Sequence, residues 1–456
     1  MKFKFSQKTQ NKLEEHSKII RGQFNDLMHI GEAKNHIQAA LPFWLAGIIT
    51  AFIAAIYARL FSYVEREAVI LYSSLGLWAL LAVPILFLLS WYIVERLAPY
   101  SNGSGIPQLM AAAEISQENS QSVFIEKLLG IRIIVVKIIS SLLGVLGGGA
   151  IGREGPTLQI AGSIFHLTGK FLPRNLISKN HHGLILAGGA AGLASAFNTP
   201  LGGIVYVVEE LSKSHLSTFR TGILQAVIVA GLISQLLMGP YLYFGFPKIE
   251  SFRMGQIGFI LGISILVGLL VAFFGQTLKL VLIYRARLKT PGKKAILAIA
   301  CGLAFTLFAI FGSQSTLGSG KELLTGLLFD EKQSNLLDVF SRFFGSVATY
   351  SAGGAGGIFA PTLSIGGAAA SYFSNIFGAD LGTLGVLVGM TAALSALTQS
   401  PFTSFVLILE MTDRHSAIFP LMIAALLGQG ISKLVAKNSF YDFVCSRILS
   451  DCESHK

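Results

Sequence analysis

Residues 152–162 of this chain read Gly-Arg-Glu-Gly-Pro-Thr-Leu-Gln-Ile-Ala-Gly, and residues 357–367 read Gly-Ile-Phe-Ala-Pro-Thr-Leu-Ser-Ile-Gly-Gly. At an offset of 205 the two share Pro-Thr-Leu and the flanking glycines, a coincidence that chance explains poorly. Further on, Ala187-Gly188 through Pro200 to Glu209 aligns with Val388-Gly389 through Pro401 to Glu410 at an offset of 201, leaving a four-residue length difference between. Gly103-Ser104-Gly105 has an echo in Gly318-Ser319-Gly320. Internal repetition on this scale restricts the fold to two related halves. In a membrane protein such halves pack about a pseudo-two-fold axis with the binding site at their interface, and an inverted pair brings matching helix starts to the midplane from opposite sides.

The membrane is implied by composition. The 456 residues are 52% hydrophobic and 13% charged, with a mean hydropathy of +0.64, too apolar for an ordinary soluble chain. The runs Phe43 to Tyr57, Val69 to Val94, Gly255 to Leu282 and Ala295 to Phe311 are long enough to cross, or largely cross, a bilayer. Thr157 to Phe171 and Phe402 to Leu409 are too short. Long and short apolar segments mixed with 49 glycines predict tilted, interrupted helices in close contact. The expected fold class is an all-α membrane protein. Residues 1–40 read as a cytoplasmic N-terminal segment, 41–245 as the first membrane repeat, 246–445 as the second, and 446–456 as a short cytoplasmic tail.

The net charge of +11 reads as topology rather than as a nucleic-acid footprint. Lys2, Lys4, Lys8, Lys12, Lys18, Arg21 and Lys34 crowd the N-terminus, and Arg285, Arg287, Lys289, Lys293 and Lys294 fill one loop, placing both on the cytoplasmic side. No signal peptide is visible. Cys301, Cys445 and Cys452 have neither disulfide nor zinc spacing and read as reduced thiols. His181 and His182 read as a solvated loop pair without metal-ligand companions.

Three motifs place glycines before a proline and an apolar helical run: Gly103-Ser104-Gly105-Ile106-Pro107, Gly152-Arg153-Glu154-Gly155-Pro156 and Gly357-Ile358-Phe359-Ala360-Pro361. Proline suits the first helical turn, glycine permits close backbone approach, and the free N–H groups with the positive dipole end make an anion site. Glu154, at such a start, can occupy the anion site that its own helix creates. Protonation would release it, so one carboxyl can serve as gate and proton carrier.

GSGIP, GREGP and GIFAP in this order, across a repeated hydrophobic chain, together with the acidic pair after Asn198-Thr199-Pro200 and a late tyrosine, resemble the CLC family of chloride channels and proton-coupled chloride transporters. The resemblance covers nearly the whole chain. It implies about eighteen helices per subunit in a homodimer with one pore per subunit. It further implies a central chloride held by the hydroxyls of Ser104 and Tyr441 and the N–H groups of Ile358 and Phe359. The backbone of Arg153, Glu154 and Gly155 would line an external site. Hydroxyls and peptide dipoles replace chloride's water without the deep well a lysine would create. By the same resemblance Glu154 is the external gating glutamate and Glu210 the internal proton-transfer glutamate. Glu209, which aligns with Glu410, has a scaffold or proton-access role, and Lys137 matches a basic position before the gating motif. As an ordinary lysine in the apolar span Ile133 to Leu146 it would snorkel to an interface, and as a buried cation it would raise anion occupancy at a distance.

The function expected is chloride/proton antiport in a bacterial inner membrane, with a passive chloride channel as the nearest alternative and a cation/proton exchanger as the rival of another class. Clustered carboxylates on unwound helices, which a cation exchanger calls for, are lacking. Gly318-Ser319-Gly320-Lys321 is not a phosphate loop, because Ser315 and Glu322 stand where glycine and Ser/Thr belong. No motif for intramembrane proteolysis is present, and neither enzyme activity, cofactor nor metal is called for. Nitrate-preferring relatives commonly carry proline at the position of Ser104, and fluoride exporters depart from the Glu-Gly-Pro and tyrosine patterns, so chloride is the expected ion. The chain stops 15 residues after Tyr441, which predicts that the paired cytosolic nucleotide-sensing domains of many eukaryotic relatives are lacking.

Overall fold

The computed structural model describes residues 30–118, 122–172, 181–211, 220–239, 242–249, 252–330, 332–379 and 381–454, together with Lys18. Of the basic N-terminal residues, Lys2, Lys4, Lys8, Lys12 and Arg21 therefore lie outside the described residues. Eighteen α-helices are described, joined by short 3-10 and π turns. The protein is a multi-pass membrane protein. Six helical stretches are long and apolar enough to cross a bilayer: Ile37–Leu97, Val123–Leu146, Thr221–Met238, Met254–Arg287, Pro291–Gly312 and His415–Val435. Large apolar side chains such as Phe52, Ile56, Leu81, Leu232 and Phe273 are exposed around the outside, where lipid is their natural solvent.

The first long helix, Ile30–Leu75, contains the whole of the predicted Phe43 to Tyr57 run. The run Val69 to Val94 is not one span. The chain turns at Gly76, whose φ of +52° suits glycine, and continues as Ala79–Leu97 after a 3-10 turn. Hydropathy cannot see this turn because its flanking residues are as apolar as the helices they join. The expected segment limits at residues 40 and 445 both fall inside helices, Ile30–Leu75 and Phe440–Ser454.

Inside the outer helices sit two short pairs: Glu154–Phe171 with His181–Phe197, and Phe359–Ile376 with Gly382–Thr398. They cross through small residues. A side chain at Gly188 would press on Gly162 and on the Ala161 carbonyl, and one at the equivalent Gly389 would press on Gly366. The halves touch reciprocally at equivalent positions, as a two-fold axis requires. Gly152 N–H donates to the Gly357 carbonyl at 2.8 Å and Gly357 N–H to the Gly152 carbonyl at 2.9 Å. The N–H groups of the equivalent Ala150 and Ala355 each donate to a hydroxyl of the other half, Thr349 Oγ1 and Ser140 Oγ, which are not themselves repeat equivalents.

Candidate functional site

Two of the three glycine-proline motifs open directly onto helices. Glu154–Phe171 begins at Glu154 with Arg153 as its cap residue, and Phe359–Ile376 begins at Phe359 with Ile358 as its cap residue. The first N–H groups of each lie outside the intrahelical ladder and no side chain caps them. The third helix, Ile106–Glu118, follows Gly103-Ser104-Gly105. All three starts are buried and adjoin one another. Gly103 is bonded between the Gly354 carbonyl (2.8 Å) and the Gly356 N–H (3.0 Å), and a side chain at Gly155 would collide with Ser104.

Ser104 Oγ and Tyr441 Oη are buried, and neither has a hydrogen-bond partner among the described residues. The two are nevertheless close enough to interact. Tyr441 stands at the start of helix Phe440–Ser454, beside Phe440, and is enclosed in the core rather than placed at an interface. Two buried hydroxyls without a partner, and helix starts without a cap, leave polar groups unsatisfied at a cost that an anion would relieve. Ser104, Ile358, Phe359 and Tyr441 thus belong to one neighbourhood.

Glu154 has 0% exposure. Its Oε1 accepts a 2.9 Å hydrogen bond from the Tyr243 hydroxyl. Its Oε2 lies against Gly152, where any Cβ would occupy its place. Aromatic rings enclose it: Tyr243 meets Phe197 edge-on at 5.0 Å between ring centres, and Phe197 meets Phe359 at 5.1 Å. Arg153 donates to the Ala58 carbonyl at 2.8 Å, with its guanidinium 6.0 Å from the Tyr243 ring. Lys321 Nζ lies 4.4 Å from the centre of that ring. Sequence reasoning missed Tyr243 because an aromatic residue in a linker between Gly239-Pro240 and Gly245 ordinarily reads as an interface anchor.

The acids of the other candidate region separate by environment. Glu210, on the π turn Val207–Leu211, is buried and accepts a short hydrogen bond from Ser400 Oγ. It lies within electrostatic reach of Tyr441, as does Glu154. Glu209 accepts from the N–H groups of Phe402 (3.1 Å) and Thr403 (2.6 Å) at the start of helix Pro401–Thr412. Its equivalent, Glu410, accepts from Leu201 (3.1 Å) and Gly202 (2.7 Å) at the start of helix Pro200–Tyr206. Each repeat therefore caps a helix of the other.

Lys137 does not snorkel. It has 0% exposure and donates to the carbonyls of Ser101 (2.8 Å) and Gly103 (2.9 Å), fixing the loop that carries Ser104. At the equivalent position, 205 residues on, fully buried Arg342 donates to the carbonyls of Thr316, Gly318 and Ser319 at 2.8, 3.0 and 2.9 Å. A residue enclosed beneath polar backbone cannot reach an interface, and the carbonyls replace its water. The histidine pair is also not in a loop. His181 and His182 open helix His181–Phe197. His181 Nε2 pairs with His166 Nδ1 at 2.8 Å, and His182 Nδ1 lies 3.0 Å from Ser116 Oγ. Gly318-Ser319-Gly320-Lys321 leads into helix Lys321–Phe329. The three cysteines are free and buried, and no metal-holding cluster exists among the described residues.

Residues 85–433 match the family described as voltage gated chloride channel. The chain belongs to this family. Among curated proteins it is 28% identical over 443 residues to the H(+)/Cl(-) exchange transporter ClcA of Yersinia pestis bv. Antiqua, covering 90% of this chain and 87% of that one. It is 30% identical over 401 residues to the protein of the same name from Vibrio campbellii, covering 83% and 82%. In structure it resembles a slow cyanobacterial Cl-/H+ antiporter, with a TM-score of 0.79 at 24% identity over 91% of this chain and 98% of that one. It also resembles a CLC-type fluoride/proton antiporter, with a TM-score of 0.74 at 22% identity over 88% and 96%. The chloride channel family thus accounts for the fold described above.

Proposed function

We propose that this chain exchanges chloride for protons across a bacterial inner membrane, as a homodimer with one pathway per subunit and both termini in the cytoplasm. The observation that carries the reading is the meeting of Ser104 and Tyr441, two buried hydroxyls without protein partners, beside the Phe359 helix start and close to Glu154. Hydroxyls and peptide N–H groups bind a halide moderately, because they carry only partial charge. Ionised Glu154 competes for the same positive ends. On protonation it loses its charge and its claim on those donors, chloride passes, and the proton is carried on the same side chain.

Glu210, bonded to Ser400 and within electrostatic reach of Tyr441, supplies the other end of the proton branch. Its repeat partner is Met411, so that branch exists in one half alone. Glu209 is saturated by helix N–H groups, which favours its scaffold role over proton access. The antiporter names of the relatives, both solved and curated, point the same way. Purified protein in liposomes with an outward chloride gradient should pump protons uphill. Rapid chloride flux without proton movement would replace the exchanger by a passive channel, and cation-dependent proton movement without chloride would replace both.

A further inference from the structure

Tyr243 belongs to neither repeat motif, yet its phenol is the hydrogen-bond donor that meets Glu154 from outside the Glu154 helix. The pair is fully enclosed, the tyrosine at 4% exposure. The ring is held on its edges by Phe197 at 5.0 Å and Phe244 at 4.8 Å, and Lys321 sits 4.4 Å from its centre. A cation over a tyrosine ring is attracted to the π face and withdraws density from the O–H, strengthening it as a donor. Lys321 in turn is placed by the Gly318-Ser319-Gly320 turn, whose Ser319 N–H donates to Glu65 at 2.6 Å. The phosphate-loop look-alike thus acquires a purpose.

We propose that Tyr243 is a latch that positions the Glu154 gate: its hydroxyl holds the ionised carboxylate over Gly152, and Lys321 steadies the latch. The inference rests on Glu154 being the gate in the antiport reading above. Donation to a carboxylate favours its charged form, so protonation must break the latch before the gate leaves. The other groups whose charge reaches Glu154 are Arg153 and Glu65, while Lys321, Tyr57 and Tyr441 feel its charge in return. None of them changes when only the phenolic oxygen is removed.

The test is chloride efflux from liposomes across the acid-to-neutral range for the wild type, Tyr243→Phe, Glu154→Gln and the double variant. Phenylalanine keeps the ring and its neighbours, and melting curves confirm equal folding. Tyr243→Phe should move the half-activation of flux upward by about one pH unit, from the loss of one hydrogen bond to a charged group. In the Glu154→Gln background the same substitution should change nothing. A Tyr243→Phe profile that superimposes on the wild type, or a shift that persists in the Glu154→Gln background, overturns the latch. A wild type that moves no protons uphill but shows the Tyr243-dependent, Glu154-dependent shift sinks antiport and upholds the latch.

Discussion

In the first half of the chain the residue that opens the helix after Gly152-Arg153 is Glu154, whereas 205 residues later, after Gly357-Ile358, it is Phe359. Beside these two the halves agree closely. Gly152 and Gly357 bond each other, Lys137 and Arg342 hold loop carbonyls, and Glu209 and Glu410 cap helices across the axis. They part again at Glu210 against Met411. What is duplicated holds the backbone in place, and what is not duplicated can titrate. A carrier that moves protons on one branch only needs a two-fold frame with one-fold chemistry.

That contrast can be broken most sharply at Glu154. Glu154→Gln should abolish uphill proton movement and leave chloride flux independent of pH, whereas Phe359→Leu should keep coupling, as paired chloride and proton fluxes in liposomes would show. Glu210→Gln should likewise stop protons while chloride still passes. Equal proton movement in this variant would assign the inner branch to another group. The duplicated cations should act on stability instead. Lys137→Ala and Arg342→Ala each strand buried carbonyls and leave a cavity, costing about 3–5 kcal/mol, read as a fall in melting temperature in detergent. Comparable losses in the two halves sharpen the comparison, and a loss confined to one breaks it. The smallest effect belongs to the reciprocal caps. Glu209→Gln and Glu410→Gln keep one of the two accepting oxygens and lose the charge and one N–H bond at a helix start, costing about 1–2 kcal/mol each, with coupling retained in both. Lost coupling in Glu209→Gln alone would return that residue to the proton path.

The repeat offset, the three helix starts and the membrane class were legible in the sequence because each is a local pattern of glycine, proline and apolar residues. Family resemblance then pointed to Ser104, Tyr441, Ile358 and Phe359, all four of them buried. The break at Gly76 escaped because a single glycine between apolar runs barely lowers the mean hydropathy. The carbonyl contacts of Lys137 and the pairing of the histidines escaped for a shared reason: their partners, Ser101 and Gly103 in one case and His166 and Ser116 in the other, come from different helices or loops. Tyr243 and Arg342 went unnoticed for the same cause. A side chain that acts by closing a contact across the fold carries no signal in its own neighbourhood of the chain.

The central claim is that helix starts from both halves and two hydroxyls surround a halide beside Glu154. Crystals grown in bromide, with data collected at the bromine absorption edge, test it directly. An anomalous peak should lie between Ser104 Oγ, Tyr441 Oη and the N–H groups of Ile358 and Phe359, with a second appearing near the Arg153 to Gly155 backbone in Glu154→Gln. Bromide bound elsewhere, with that central position empty in both proteins, would contradict the account.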